Sequence, residues 1–144
     1  MVIVIHQSTS TQNALFYNEK KVEQKKAVFY KSANTPTINP FAGNKQNRLN
    51  TLKKIEDMNT RVKKKGLHIS VNPTVTDLVK LGDKGMRTEI GNLMEHLGYG
   101  NQPYFVFKHT DLDRTHFHIV STRIDKTTFR KIRDDYEKQK TQRF

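Results

Sequence analysis

Apolar positions recur along this chain with two periods, and the switches between them predict its elements. "VIVI" at 2–5 is a β-branched run that predicts a buried strand. The Ser/Thr-rich "QSTSTQ" after it offers caps for a helix from about Asn13 that carries "ALFYNEKKV". "AVFYKS" at 27–32 predicts the next strand, and "ANTPTINPFAGN", with two prolines and several Asn residues, predicts a mobile loop. From Arg48, Leu49, Leu52, Ile55 and Val62, with Met58 or Asn59 between, recur at three- and four-residue steps, which predicts a helix that Gly66 ends.

"LHISVNP" at 67–73 alternates apolar and polar residues as a half-buried strand does, and Pro73 stops it. Met86, Ile90, Leu93, Met94 and Leu97 form one helical stripe before Gly98, so the methionines belong to the core. "YFVFKH" (104–109) and "HFHIVSTRI" (116–124), separated by "TDLDRT", predict an antiparallel hairpin with a polar connection. The order strand, helix, strand, helix, strand, helix, strand, strand gives an α+β class: a mostly antiparallel central sheet with covering helices, in two layers. Residues 1–125 are expected to form the domain, and 126–144 a basic, loosely helical tail.

Charge narrows the partners. The chain has 144 residues, 26 Lys and Arg against 14 Asp and Glu, and a formal net charge of +12, a field that attracts polyanions and makes nucleic acid the leading partner. No apolar run is long enough to span a bilayer and the N-terminus lacks the pattern of a secretory signal, so membrane insertion is not expected and the cytoplasm is. Without cysteine there is neither disulfide nor thiolate metal site, which leaves His, Asp and Glu to hold any ion.

"HTDLDRTHFH" at 109–118 concentrates half of the six histidines. Side chains two apart on a strand share a face, so His116 and His118 project together, and a hairpin pairing 109 opposite 116 adds His109. Three imidazoles on one side suit a divalent ion and leave it open positions for substrate oxygens. Asp111 is a fourth ligand, a proton acceptor or a group that orients an imidazole, whereas Asp113 is read as a loop residue. His6, His68 and His96, each isolated in sequence, are read as ordinary polar residues.

The run "HTDLDRTHFHIVSTRID", preceded by "LGYGNQPYFVFK" and "LHISVNP", resembles the MobP-type relaxase or mobilisation nuclease family of the HUH endonuclease group, named for two histidines flanking a hydrophobic residue, here His116, Phe117 and His118. The resemblance runs from "ALFYNEKKV" to about Asp125. It implies an RRM-like relaxase fold and a site- and strand-specific nickase acting on single-stranded origin-of-transfer DNA during conjugative mobilisation. It also implies a Mg²⁺ or Mn²⁺ cofactor on His109, His116 and His118, and accessory mobilisation and coupling proteins as partners. Arg114-Thr115 stands where relatives often have His-Pro, and Thr122 where Asn is common.

Composition does not choose among Tyr17, Tyr30, Tyr99, Tyr104 and Tyr136 as a nucleophile. The likeness of "ALFYNEKKV" to the family's N-terminal motif selects Tyr17, with Tyr30 next, and implies a 5′-phosphotyrosyl intermediate. Among the basic residues, Lys20, Lys21, Arg114 and Arg123 are placed to approach DNA. Two other readings are a rolling-circle replication initiator of the HUH group and a non-catalytic nucleic-acid-binding module. A tyrosine lying before the histidine motif counts against the first, and three co-facial histidines count against the second.

Overall fold

The structure is a computed structural model that describes residues 1–7, 10–35, 43–111 and 113–144. Five strands, β1 (Val2–His6), β2 (Ala27–Ala33), β3 (Gly66–Asn72), β4 (Tyr104–His109) and β5 (His116–Thr122), form one antiparallel sheet in the order β1-β3-β5-β4-β2. Helices α1 (Thr11–Glu23), α2 (Lys45–Glu56), α3 (Val75–Leu97) and α4 (Glu137–Arg143) complete it. Every expected strand is present, and the α+β class with an antiparallel sheet stands.

The helices cover both faces of the sheet. On one face Leu67, Ile69, Val71, Val106, Phe117 and Ile119 pack against Met86, Ile90, Leu93, Met94 and Leu97 of α3. On the other, Phe105, Phe107 and Val120 pack against Ala14 and Leu15 of α1 and Leu49 and Leu52 of α2. The expected two layers are therefore three. The reason lies in "YFVF" of β4, where four successive apolar residues send two side chains to each face, so neither face is left to water. Each large side chain removed from water on either side contributes roughly 1.5–3 kcal/mol.

Helix ends follow local chemistry. Ser10 Oγ accepts from the Asn13 backbone and starts α1 two residues before the expected position. Asn44 caps α2 at Lys45, earlier than Arg48. The helix also stops at Glu56 rather than running to Gly66, because Asn59 Oδ1 accepts from the backbone of Arg61 and Val62 and turns the chain away. Thr74 and Asp77 form a reciprocal capping box for α3. Gly82 breaks α3 with φ 66°, a conformation that glycine adopts without a Cβ clash. The loop expected over 33–44 lies largely outside the described residues.

The basic C-terminal stretch is docked onto the sheet's α3 side. Ile132 packs against the α3 cluster, Ile124 bridges Lys131, and Arg123 Nη1 donates to Glu137 Oε1 at 2.7 Å and to the Tyr99 hydroxyl at 3.0 Å. Among the described residues no helix is long and apolar enough to cross a membrane.

Candidate active site

Sheet register builds the site. His109 pairs with His116, Ser70 with His118, and His6 with His68, and directly opposed residues share a face. That face is the one under α1. It carries five of the six histidines, with an apolar patch of Phe105, Phe107 and Val120 beside them. His96 stands apart, its Nε2 against the Lys140 carbonyl at 2.8 Å.

His109, His116 and His118 form the expected triad, with one ring nitrogen from each lying within 4.8 Å of the others. Ring centroids are 4.1 Å apart for His109 and His118, 4.9 Å for His109 and His116, and 5.2 Å for His116 and His118. Donors on one ion at about 2.0–2.2 Å sit about 3.0–3.5 Å apart, so small side-chain rotations close this set. Burial supplies the right protonation state: loss of water pushes the His109 imidazole down to about 4 and His118 further down, with neighbouring rings adding repulsion. Neutral rings with bare lone pairs are what a divalent ion requires. The donor set fits a metal.

Each ring also has one nitrogen against a polar neighbour. His109 Nε2 lies 2.6 Å from Asn18 Oδ1, His118 Nδ1 lies 2.7 Å from His68 Nε2, and His116 Nδ1 lies 3.4 Å from the Arg114 carbonyl. Beside them His6 Nε2 contacts Ser70 Oγ at 2.6 Å and its ring stacks on His68 at 4.5 Å. Burial, then the nearby His6 and His109 rings, hold the His68 imidazole down at about 4. His68 and His6, isolated in sequence and expected there to be ordinary polar residues, both belong to this cluster. The signal was available: in "LHISV" the polar positions 68 and 70 fall on one face of a strand whose other face is wholly apolar. Asn18 carried no such signal.

Tyr17 projects from α1 over the triad, its ring centroid 6.3 Å from His109 and 6.2 Å from His118. It is 49% exposed and borders an open cleft of about 490 Å³ lined by His6, Gln7, Ser10, Asn13, His68 and His118. Tyr30, the alternative nucleophile, is only 4% exposed on the α3 side. Its hydroxyl donates to Asp83, and burial raises it to about 12. Tyr99 and Tyr104 are buried as well.

The polar candidates divide. Lys21 Nζ sits 5.7 Å from the Tyr17 ring centroid and pairs with Asp111 Oδ2 at 3.0 Å, which lowers the carboxyl and raises the ammonium. Asp111 thus faces Lys21, and the contact on His109 is made by Asn18. Lys20 and Arg114 are exposed, one on α1 beyond Tyr17 and one in the hairpin connection. Arg123 is 5% exposed and spends its guanidinium on Glu137, Tyr99 and Asp134, which places it with the C-terminal segment rather than at the histidines.

Two buried imidazoles and one half-buried imidazole thus lie beside an exposed tyrosine on a strongly basic domain, an arrangement that could hold a divalent ion next to a nucleophilic hydroxyl. The family model of the relaxases, described as MobA/VirD2-like, nuclease domain, matches residues 17–144, and the chain belongs to that family. No curated protein and no solved structure matches it significantly. Family membership carries a DNA-nicking role in the broad sense.

Proposed function

We propose that this domain nicks one strand of origin-of-transfer DNA by transesterification, with Tyr17 as nucleophile and His109, His116 and His118 as ligands of Mg²⁺ or Mn²⁺. The observation that carries the reading is the position of Tyr17: among the described tyrosines it is the one that is both exposed and stacked beside the triad. Bound there, the ion would act as a Lewis acid on a phosphate oxygen.

The protein's own groups do the rest. The Tyr17 oxygen attacks phosphorus in line, a phosphotyrosyl bond to the 5′ side forms, and the bond to the 3′ oxygen breaks. The tyrosine proton leaves to water, and the departing 3′ oxygen takes one up. Lys21, held by Asp111 beside the Tyr17 ring, sets a positive charge next to the attacking residue, where it can meet the substrate phosphate. Lys20 and Arg114 meet flanking phosphates. In this reading the enzyme works in the cytoplasm, with accessory mobilisation proteins and a coupling protein.

The test is a labelled single-stranded transfer-origin oligonucleotide incubated with protein and Mn²⁺, followed by a denaturing gel. A protein–DNA adduct is expected from the native sequence and none from Tyr17→Phe, while His116→Ala loses both cleavage and Mn²⁺ binding. An adduct that persists in Tyr17→Phe would refute the assignment of the nucleophile.

A further inference from the structure

We propose that Asn18 is a positioning residue of the metal site: it fixes His109 in the tautomer that presents Nδ1 and ties the helix bearing Tyr17 to that ligand. The inference rests on the reading of His109, His116 and His118 as metal ligands.

Asn18 is wholly buried in the middle of α1, a position where an amide is costly unless both of its ends are satisfied. Both are. Its Nδ2 donates to the Ala14 carbonyl at 2.8 Å, and its Oδ1 faces His109 Nε2 at 2.6 Å. The first bond decides the second. A carbonyl only accepts, so the amide must turn its NH₂ to Ala14 and its oxygen to the ring.

An oxygen there accepts a hydrogen bond from Nε2–H, which keeps the His109 proton on Nε2 and leaves the lone pair on Nδ1. His118 is engaged the other way, at Nδ1 by His68, which leaves its Nε2. The two rings are therefore turned towards an ion through different nitrogens. Asp111, two residues from His109, does not take this part because its carboxylate is engaged by Lys21. Asn18 also follows Tyr17 directly, and successive helical residues differ by about 100°. One residue is thus inside on a ligand while its neighbour is outside over the same ligand's ring. A shift of α1 that moved Tyr17 would break the Asn18–His109 contact.

The full chain is compared with Asn18→Leu, which keeps the volume and removes both polar ends, and with Asn18→Asp, which keeps the acceptor. Long-range ¹H–¹⁵N spectra of the metal-free protein should show His109 protonated at Nε2, and Mn²⁺ calorimetry should show Asn18→Leu weakened about 10- to 100-fold. Asn18→Asp should recover affinity to within about threefold of the native chain, a rescue that packing alone would not produce. A native His109 protonated at Nδ1, unchanged Mn²⁺ affinity in Asn18→Leu, or no rescue by Asn18→Asp would each overturn the proposal. Failure of the native protein to bind Mn²⁺ overturns the metal reading instead, and the tautomer spectrum still decides whether Asn18 sets the ring.

Discussion

Acidification from pH 7 to pH 5 in EDTA should cost this domain several kcal/mol of stability, with the loss arising at the histidine cluster. His68 and His109 are held down at about 4 by burial, and His118 lower. In the unfolded chain each titrates near 6.5. Between those values the unfolded state binds more protons, so the sign is fixed: stability is complete above the unfolded value and falls as the pH drops towards the folded one. The size at pH 5 is set mainly by the unfolded value, since the folded rings are still neutral there. One such ring contributes about 2 kcal/mol, and three contribute about 6 kcal/mol as a ceiling, against a total of roughly 5–15 kcal/mol for a domain of this kind. Asp77, Asp83, Asp111 and Asp135 are lowered from their ordinary value, so what they contribute is lost only below about pH 4 and does not enter the window. Urea unfolding followed by far-ultraviolet circular dichroism at pH 7, 6 and 5 makes the measurement, with His68→Gln expected to remove about 2 kcal/mol of the dependence. A stability that changes by less than about 1 kcal/mol across this range would refute the argument that the rings are buried neutral.

Four other outcomes are expected. His68→Ala should weaken Mn²⁺ about tenfold in calorimetry while leaving single-stranded DNA affinity unchanged, because it frees the second nitrogen of His118 without removing a ligand. Lys20→Ala should reduce the slope of log affinity against log salt by about 0.7 in fluorescence anisotropy with single-stranded DNA. Phe107→Ala, at the centre of the α1 and α2 side, should cost about 3–5 kcal/mol in urea unfolding. Arg123→Met should cost about 3–5 kcal/mol by stranding buried Glu137, with part of the loss recovered by adding Glu137→Gln.

Strands were legible because their signal is local. The alternation at 67–73 and the triad spacing across the hairpin each follow from a two-residue period, and the pairing of His109 with His116 is the register that the short connection enforces. What depends on distant partners was not legible. The end of α2 is one case, because the Asn59 side chain that turns the chain at Arg61 and Val62 also donates to the Phe129 carbonyl, far along the sequence. Arg123 stands near the hairpin in sequence, but its partner Glu137 lies in a stretch that reads as solvated charge. Tyr17 and Asn18 are about a hundred residues from the histidines they meet, and only the packing of α1 across β5 and β4 brings them together.

That packing also explains why one face of the sheet is divided. An apolar face of Phe105, Phe107 and Val120 anchors α1 through Ala14 and Leu15 and sets its height. The adjoining histidines cannot contribute the same hydrophobic stabilisation, and the buried ones, His68, His109 and His118, each have a hydrogen bond in place of an apolar contact. The division is therefore a compromise in one layer: the apolar end holds the helix, and the polar end uses the position so fixed. Moving a histidine to the apolar end, or a phenylalanine to the polar one, would keep the strand period intact and destroy the site. Register, more than residue type, is what gathers the histidines of the candidate active site on this sheet face.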